Sequence, residues 1–288
     1  MGGVLVAGTT SDAGKSLVTA GLCRWLARLG VSVAPYKAQN MSNNSMACPD
    51  GSEIGRAQWL QAQAARVEPE AAMNPVLLKP GSDLRSHVVV MGEPSGELAA
   101  GEWATGRRFL ADQAFAAFKD LASRYDVVVA EGAGSPAEVN LRAGDYVNMG
   151  LARAVGLPVI VVGDIDRGGV LAAMYGTLGL LEPADQEQVV GWVVNKFRGD
   201  RGLLEPGLEM LAERTARPVL GVLPFLEDVW LDSEDTLAPA GWSAATGATG
   251  VATLSVAVLR FPRISNATDV DALAAEPGVD VRVTASPD

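Results

Sequence analysis

Runs of consecutive apolar residues, each closed by a polar or glycine-rich stretch, recur along this chain. Val4-Leu5-Val6-Ala7, Asp126-Val127-Val128-Val129-Ala130, Pro158-Val159-Ile160-Val161-Val162 and the stretches 189–194 and 218–223 predict strands, and the continuous run at 126–130 is typical of one buried on both faces. Residues 31–36 read as a shorter strand of the same kind. Between these runs the period lengthens. Val18, Leu22, Trp25, Leu26 and Leu29 line one face of a helix over 16–29, and Gly30 supplies its stop. Further helices are expected from about 53 to 66 and from about 103 to 123, with 37–45 as a polar loop and 74–81 irregular. Strands that alternate with helices predict an α/β fold with a mostly parallel sheet and right-handed crossovers.

Residues 232–253, rich in Asp, Ser, Thr, Ala, Gly and Pro, change character and read as a linker. This divides the chain into a nucleotide-binding part over 1–231, the linker, and a strand–helix–strand over 254–288. The last part is too small to bury a core of its own and is expected to be the opening of a second α/β domain.

In parallel sheets, ligands bind beyond the carboxyl ends of the strands. Six predicted strands end in polar or glycine-rich loops, so six loops converge on one expected site. The first of them carries Gly8, Thr9, Thr10, Ser11, Asp12, Ala13, Gly14, Lys15 and Ser16 between a strand and a helix. Small residues let backbone N–H groups close around phosphate oxygens, and the helix start adds its positive end. Lys15 then reaches the terminal phosphates, and the Ser16 hydroxyl is placed for Mg²⁺. The common spacing has a glycine six residues before the lysine; Thr9 stands there, and the first glycine is Gly8. The segment predicts an ATP site formed by Gly8, Thr9, Thr10, Ser11, Ala13, Gly14, Lys15 and Ser16.

Charge and cysteine usage narrow the class. A net charge of −11 over 288 residues disfavours nucleic acid and anionic membranes as partners. Cys23 and Cys48 provide neither a disulfide framework nor metal-ligand spacing, and the single histidine, His87, reads as a strand-edge residue or a substrate contact. No apolar stretch approaches bilayer length and no basic leader precedes the first strand, so a cytoplasmic protein is expected.

Longer motifs add a resemblance. Tyr36-Lys37-Ala38-Gln39-Asn40-Met41-Ser42, Glu53-Ile54-Gly55-Arg56-Ala57-Gln58 and Asn74-Pro75-Val76-Leu77-Leu78-Lys79-Pro80 closely resemble the cobyric acid synthase family. So do the stretch from Glu131 through Glu138, Asp164-Ile165-Asp166-Arg167-Gly168-Gly169, and Val194 through Asp200, in the family's order. The resemblance implies a dethiobiotin synthetase-like, P-loop NTPase-like domain followed by the start of a class I glutamine amidotransferase-like domain. It implies a ligase that uses ATP and Mg²⁺ to convert four carboxylates of adenosylcobyrinic acid a,c-diamide, a corrinoid, to carboxamides. The ammonia comes from glutamine. No Cys follows Cys48 and no His follows His87, so the glutaminase nucleophile and base of that family have no counterpart, and an ammonia-dependent reaction is expected.

By the same resemblance, Glu131 joins Ser16 as an Mg²⁺ ligand and Asn195 recognises adenine through its amide, against a helix-capping alternative. Lys37 bridges phosphate and substrate carboxylate, or is a solvated loop lysine. Asp145 orients substrate or ammonia, or caps a helix starting near Tyr146. Asp164 and Asp166 are outer partners of the metal, or caps. Arg56, Lys79, Arg85, Arg142, Arg167 and Arg198 are the cations from which a polyanionic substrate would draw its contacts, each one alone having the alternative of a solvated surface residue. Two other readings stay in view, the sister enzyme that makes the a,c-diamide and a positioning ATPase. The latter usually carries a second lysine where this chain has Thr10. Homo-oligomerisation is left open.

Overall fold

The computed structural model describes residues 2–82, 85–99, 103–226, 229, 254–261, 270–274 and 276–284. The chain opens with β1 (Gly2–Gly8), α1 (Lys15–Arg28), β2 (Val33–Tyr36), β3 (Gln39–Met41), β4 (Ser45–Ala47), β5 (Glu53–Gly55) and α2 (Arg56–Ala65). It continues through β6 (Val76–Ser82), β7 (Arg85–Val90), β8 (Glu93–Ala99), α3 (Trp103–Arg124), β9 (Val127–Glu131), α4 (Met149–Val155) and β10 (Val159–Asp164). Then come α5 (Val170–Leu180), α6 (Pro183–Gln186), β11 (Val189–Phe197), α7 (Arg201–Thr215), β12 (Val219–Pro224), β13 (Leu254–Leu259), α8 (Asp271–Ala274) and β14 (Val279–Thr284).

Six strands form one sheet in the order β12-β11-β10-β1-β9-β2, with every neighbour parallel. The apolar runs alternate between its two faces. Leu5, Ala34, Val128, Val159, Val161 and Trp192 belong to one core with buried residues of α3, α4, α5 and α7. Val6, Val33, Val129, Ile160, Val162 and Val193 belong to the other with Val18 and Cys23 of α1 and Ala65 of α2. Burial on both faces is why the inner strands carry no polar alternation, whereas β12, at the sheet's edge, has no buried residue and leaves Leu220 exposed. The P-loop NTPase-like architecture expected from the sequence is the one observed.

Three local expectations are corrected. The run 37–45 is not all loop, since β3 and the first residue of β4 fall within it. The helix expected from 53 starts at Arg56, because Glu53–Gly55 pair with Ser45–Ala47 as an antiparallel ribbon. The irregular 74–81 is instead β6, part of a four-stranded sheet ordered β3-β6-β7-β8. His87 lies on β7 of that sheet, opposite Glu97 and 3.5 Å from its carboxylate. The expected linker over 232–253 lies outside the described residues, whereas β13 and β14 form a parallel pair with α8 between them in sequence. Among the described residues no helix is long and apolar enough to cross a membrane.

Candidate nucleotide and acid-activation site

The loop after β1 folds as a cradle around its own lysine. Lys15 Nζ donates to the carbonyls of Thr10 at 3.0 Å, Ser11 at 2.9 Å and Gly134 at 3.2 Å. The last contact ties the loop after β1 to the loop after β9. Gly14 is required twice over. Its φ of 94° disfavours any side chain, and a Cβ there would sit 2.1 Å from the Asn195 amide. Asn195 ends up against the cradle because its Nδ2 donates to Ala13 O at 3.0 Å. It is 1% exposed, and its amide fixes the cradle loop.

Beside the cradle, three chain segments deliver their polar groups to one buried carboxylate. Glu131 closes β9. Its Oε1 accepts from Ser16 Oγ at 2.9 Å and from Lys37 Nζ at 2.9 Å, while Oε2 accepts from Gln61 Nε2 at 2.6 Å. Burial pushes the carboxyl up, but the Lys37 ammonium and the amide, ammonium and hydroxyl donors outweigh it and hold the group below its ordinary value. Glu131 is therefore a buried anion at neutral pH. Lys37 is 2% exposed, which removes the solvated-loop alternative. Its main chain is fixed as well, by N–H donation to Met73 O at 2.9 Å and by Asn74 Nδ2 donating to its carbonyl at 3.2 Å.

Gln61 is the contact that sequence reasoning missed. In α2 the buried residues are Gln58, Gln61, Ala62 and Ala65, a helical face whose first two members are polar. Gln58 Oε1 accepts from Asn40 Nδ2 at 3.1 Å, so the same face also grips β3. The i, i+3 glutamines were the available signal, but two glutamines three residues apart also describe an ordinary solvated helix face.

The loop after β9 is braced from 145–150. Asp145 Oδ1 accepts from the N–H groups of Val147 at 2.8 Å and Asn148 at 2.9 Å, and Oδ2 from Gly150 N–H at 2.8 Å. The capping alternative is corrected: the helix begins at Met149 with Asn148 as its N-cap, and Asp145 instead braces the turn before it and the N–H of Gly150 in its first turn. Asn148 Nδ2 in turn donates to Ala133 O at 2.6 Å, and a Cβ on Gly132 would lie 2.1 Å from Asn148 Oδ1.

The expected cations divide. Arg142 is turned into the fold, with Nε and Nη2 on the two oxygens of Asp185 at 2.5 and 2.8 Å, and Arg153 approaches the same carboxylate at 3.6 Å. Asp164 accepts from Lys196 Nζ at 2.7 Å and, through Oδ1, from Asp166 N–H at 2.9 Å. Lys196 also reaches Asp12 O at 3.0 Å, from a backbone φ of 60°. Arg167 pairs with Asp12 at 2.9 Å; Arg198 lies 3.4 Å from Asp166 and 3.5 Å over the ring centroid of Phe225. Lys79 pairs with Glu53, and Arg56 Nη1 lies 3.6 Å from Met46 Sδ. The Arg85 side chain falls outside the described residues.

Oxygen donors of this kind suit a hard divalent cation that keeps water and phosphate oxygens in its shell. Ser16 and Glu131 would supply a hydroxyl and one carboxylate. Among the described residues no group of three or more His, Cys, Asp or Glu is placed to hold a metal ion.

Residues 4–238 match the family described as the CobQ/CobB/MinD/ParA nucleotide binding domain. Along its whole length the chain is 63% identical to a cobyric acid synthase of Cutibacterium acnes, covering 60% of that protein. It is 67% identical to a cobyric acid synthase of Mycobacterium tuberculosis H37Rv, covering 58% of it. The chain thus spans about three fifths of these curated relatives. Among solved structures, the signal recognition particle receptor FtsY of Elizabethkingia anophelis overlays 81% of this chain and 62% of its own at 16% identity and a TM-score of 0.45. That likeness is too weak to bear on the chemistry.

Proposed function

The chain belongs to the CobQ/CobB/MinD/ParA nucleotide-binding domain family, and from that premise we propose that it is the ATP-dependent synthetase part of a cobyric acid synthase. Its reaction is amidation of the b, d, e and g carboxylates of adenosylcobyrinic acid a,c-diamide in cobalamin biosynthesis. In the whole protein, glutamine supplies the ammonia through an amidotransferase-like domain that begins near residue 254.

A carboxylate resists ammonia because its leaving group would be an oxide. ATP with Mg²⁺ supplies the activation, transferring its γ-phosphoryl group to a carboxylate oxygen with release of ADP. Ammonia then attacks the acyl carbon of the acyl phosphate, the C–O bond to phosphate breaks, and the amide loses its extra proton. Little covalent chemistry falls to the protein, so its task is positioning and charge neutralisation.

The observation that carries this reading is the buried Glu131 anion gripped by Ser16 and Lys37 beside the cradle. Residues 8–16 bind the phosphates. Lys15 exchanges its three carbonyls for phosphate oxygens, and the Ser16 hydroxyl and Glu131 hold the metal. Lys37 is the cation on the side of β2, where it can pair with the substrate carboxylate and the transferring phosphoryl oxygens. Asn195 reads adenine. Asp145, with both oxygens already engaged by N–H donors, acts by holding the loop that frames the incoming acid. Asp164 and Asp166, tied to Lys196 and Arg198, brace the cradle from the far side. Arg142 drops out of the substrate contacts because Asp185 occupies its fork.

The test supplies adenosylcobyrinic acid a,c-diamide, ATP, Mg²⁺ and ammonium to the chain and follows carboxylate-to-carboxamide conversion by mass spectrometry. Supplying ammonium directly makes the result independent of glutamine hydrolysis. Stepwise conversion that requires ATP is expected. No conversion by protein that binds ATP would overturn the proposal, and conversion of cobyrinic acid at its a and c positions instead would favour the sister enzyme.

A further inference from the structure

Gln61 lies 45 residues from Ser16 and 70 from Glu131, yet one amide nitrogen joins them. Its Nε2 donates to Glu131 Oε2 at 2.6 Å, and its other hydrogen faces the main-chain carbonyl of Ser16 at 3.4 Å. The amide cannot be turned over, because the flipped form would set its oxygen against a carboxylate. Among the described residues Gln61 Oε1 has no partner, and the orientation of the group is set by its donor side. The division of labour on Glu131 follows. Oε2 is taken by Gln61, and Oε1 alone is shared between Ser16 and Lys37.

We propose that Gln61 is a positioning residue for the metal, holding Glu131 so that a single carboxylate oxygen faces the Ser16 hydroxyl and setting the affinity of the site for Mg²⁺. The inference rests on the reading of Glu131 and Ser16 as metal ligands. A neutral amide suits the role. A second ammonium at this point would cancel the charge that the cation needs, and an apolar side chain would leave Oε2 buried without a donor. The neighbouring Gln58, on the same face of α2 and bonded to Asn40, fixes the helix that carries the amide. Gln61 thus acts on the metal through Glu131 and touches neither nucleotide nor acid.

The test is calorimetric binding of a non-hydrolysable ATP analogue, with Mg²⁺ and with EDTA, to the wild-type chain and to Gln61→Met, Gln61→Asn and Glu131→Gln. Methionine keeps the volume and removes the donor. Gln61→Met is expected to weaken binding about 10- to 100-fold with Mg²⁺ and to leave metal-free binding unchanged. Gln61→Asn, which keeps an amide one methylene shorter, is expected to fall between, and it carries the test if Gln61→Met does not fold. A merely structural role would weaken binding equally in both conditions, and that result, or wild-type behaviour of both Gln61 variants, overturns the inference. If Glu131→Gln keeps the full Mg²⁺ dependence, or the wild type shows none, the ligand assignment fails first and the inference falls with it. That outcome is told apart because it appears without any change at Gln61.

Discussion

Two buried carboxylates carry opposite lessons. Asp185, just before β11, and Glu131, at the end of β9, are each almost fully buried, each paired with a cation and each held below its ordinary pKa. At Asp185 the largest influence is the fork of Arg142, which meets both oxygens, with Arg153 adding its charge. The pair closes on itself. At Glu131 the donors come from three separate segments, two of them crowd one oxygen, and the phosphate cradle lies alongside. A buried ion pair as such is no sign of function. The site shows itself where a carboxylate gathers more polar groups than neutralisation requires, at the carboxyl end of parallel strands.

The strongest way to break the comparison is Lys37→Met. It strands the Glu131 charge and removes the cation proposed to meet the phosphoryl group. Amidation with ammonium is expected to fall about 10²- to 10³-fold, read as kcat by mass spectrometry on protein whose fold is checked by circular dichroism. Near wild-type turnover would make the Lys37–Glu131 pair a structural one like its counterpart.

Arg142→Met is the reciprocal experiment. It leaves Asp185 buried with only the more distant Arg153, and unfolding in urea should show a loss of about 3 kcal/mol. Turnover per folded molecule should stay at the wild-type level, because the Arg142 side chain is engaged by Asp185 and the bond from Asp145 N–H goes to the Arg142 main-chain carbonyl, which the substitution keeps. A large loss of turnover without loss of stability would return Arg142 to the substrate contacts.

How much of this was legible beforehand also differs between regions. The six-stranded sheet could be read directly, since its inner strands, buried on both faces, must be continuously apolar and each ends in a loop that cannot be, although the exposure of β12 at the edge was not visible in its apolar run. Lys15, Ser16, Lys37, Glu131 and Asn195 could be singled out for their places at those strand ends, although their partners could not. The second sheet escaped because β3 is Gln39-Asn40-Met41 and β6 ends in Lys79-Pro80-Gly81-Ser82, with no apolar run across either. Gln61 escaped for a related reason. A polar residue buried for its hydrogen bond looks, along the sequence, like one left in water, and its partner lies 70 residues away. The ion pair that occupies Arg142 escaped as well, because Asp185 is 43 residues distant on a four-residue helix.

A smaller effect follows from the shared direction of the two carboxyl shifts. Both folded values lie below the unfolded ones, so each group stabilises the fold fully above about pH 4 and loses that contribution as pH falls through the folded value. Urea-unfolding stability should be level from neutrality to about pH 5 and then fall, by up to about 1.4 kcal/mol per pH unit for each proton taken up. Arg142→Met should flatten this limb, because Asp185 then has less to lose. An acid limb of unchanged slope in that variant would mean that the Arg142 fork is not what depresses Asp185.

The smallest expected effect concerns the two thiols and reads the Glu131 charge from a distance. Burial pushes the Cys23 thiol up to about 12, and the Glu131 anion pushes in the same direction. Burial also raises Cys48, but there the Ser52 hydroxyl works against it. Since the thiolate is the reacting form, Cys23 at pH 8 is ionised to only about one part in ten thousand, and its alkylation in the folded protein should be very slow. Iodoacetamide labelling followed by peptide mass analysis should therefore modify Cys48 before Cys23, with both reacting freely once the chain is unfolded in urea. Glu131→Gln removes the anion but strands the Lys37 charge, so, compared at conditions where both proteins are fully folded, it should quicken labelling of Cys23 and leave Cys48 alone. If Cys23 labels at the same rate in both proteins, the carboxylate on β9 does not carry the buried charge on which its contrast with Asp185 depends.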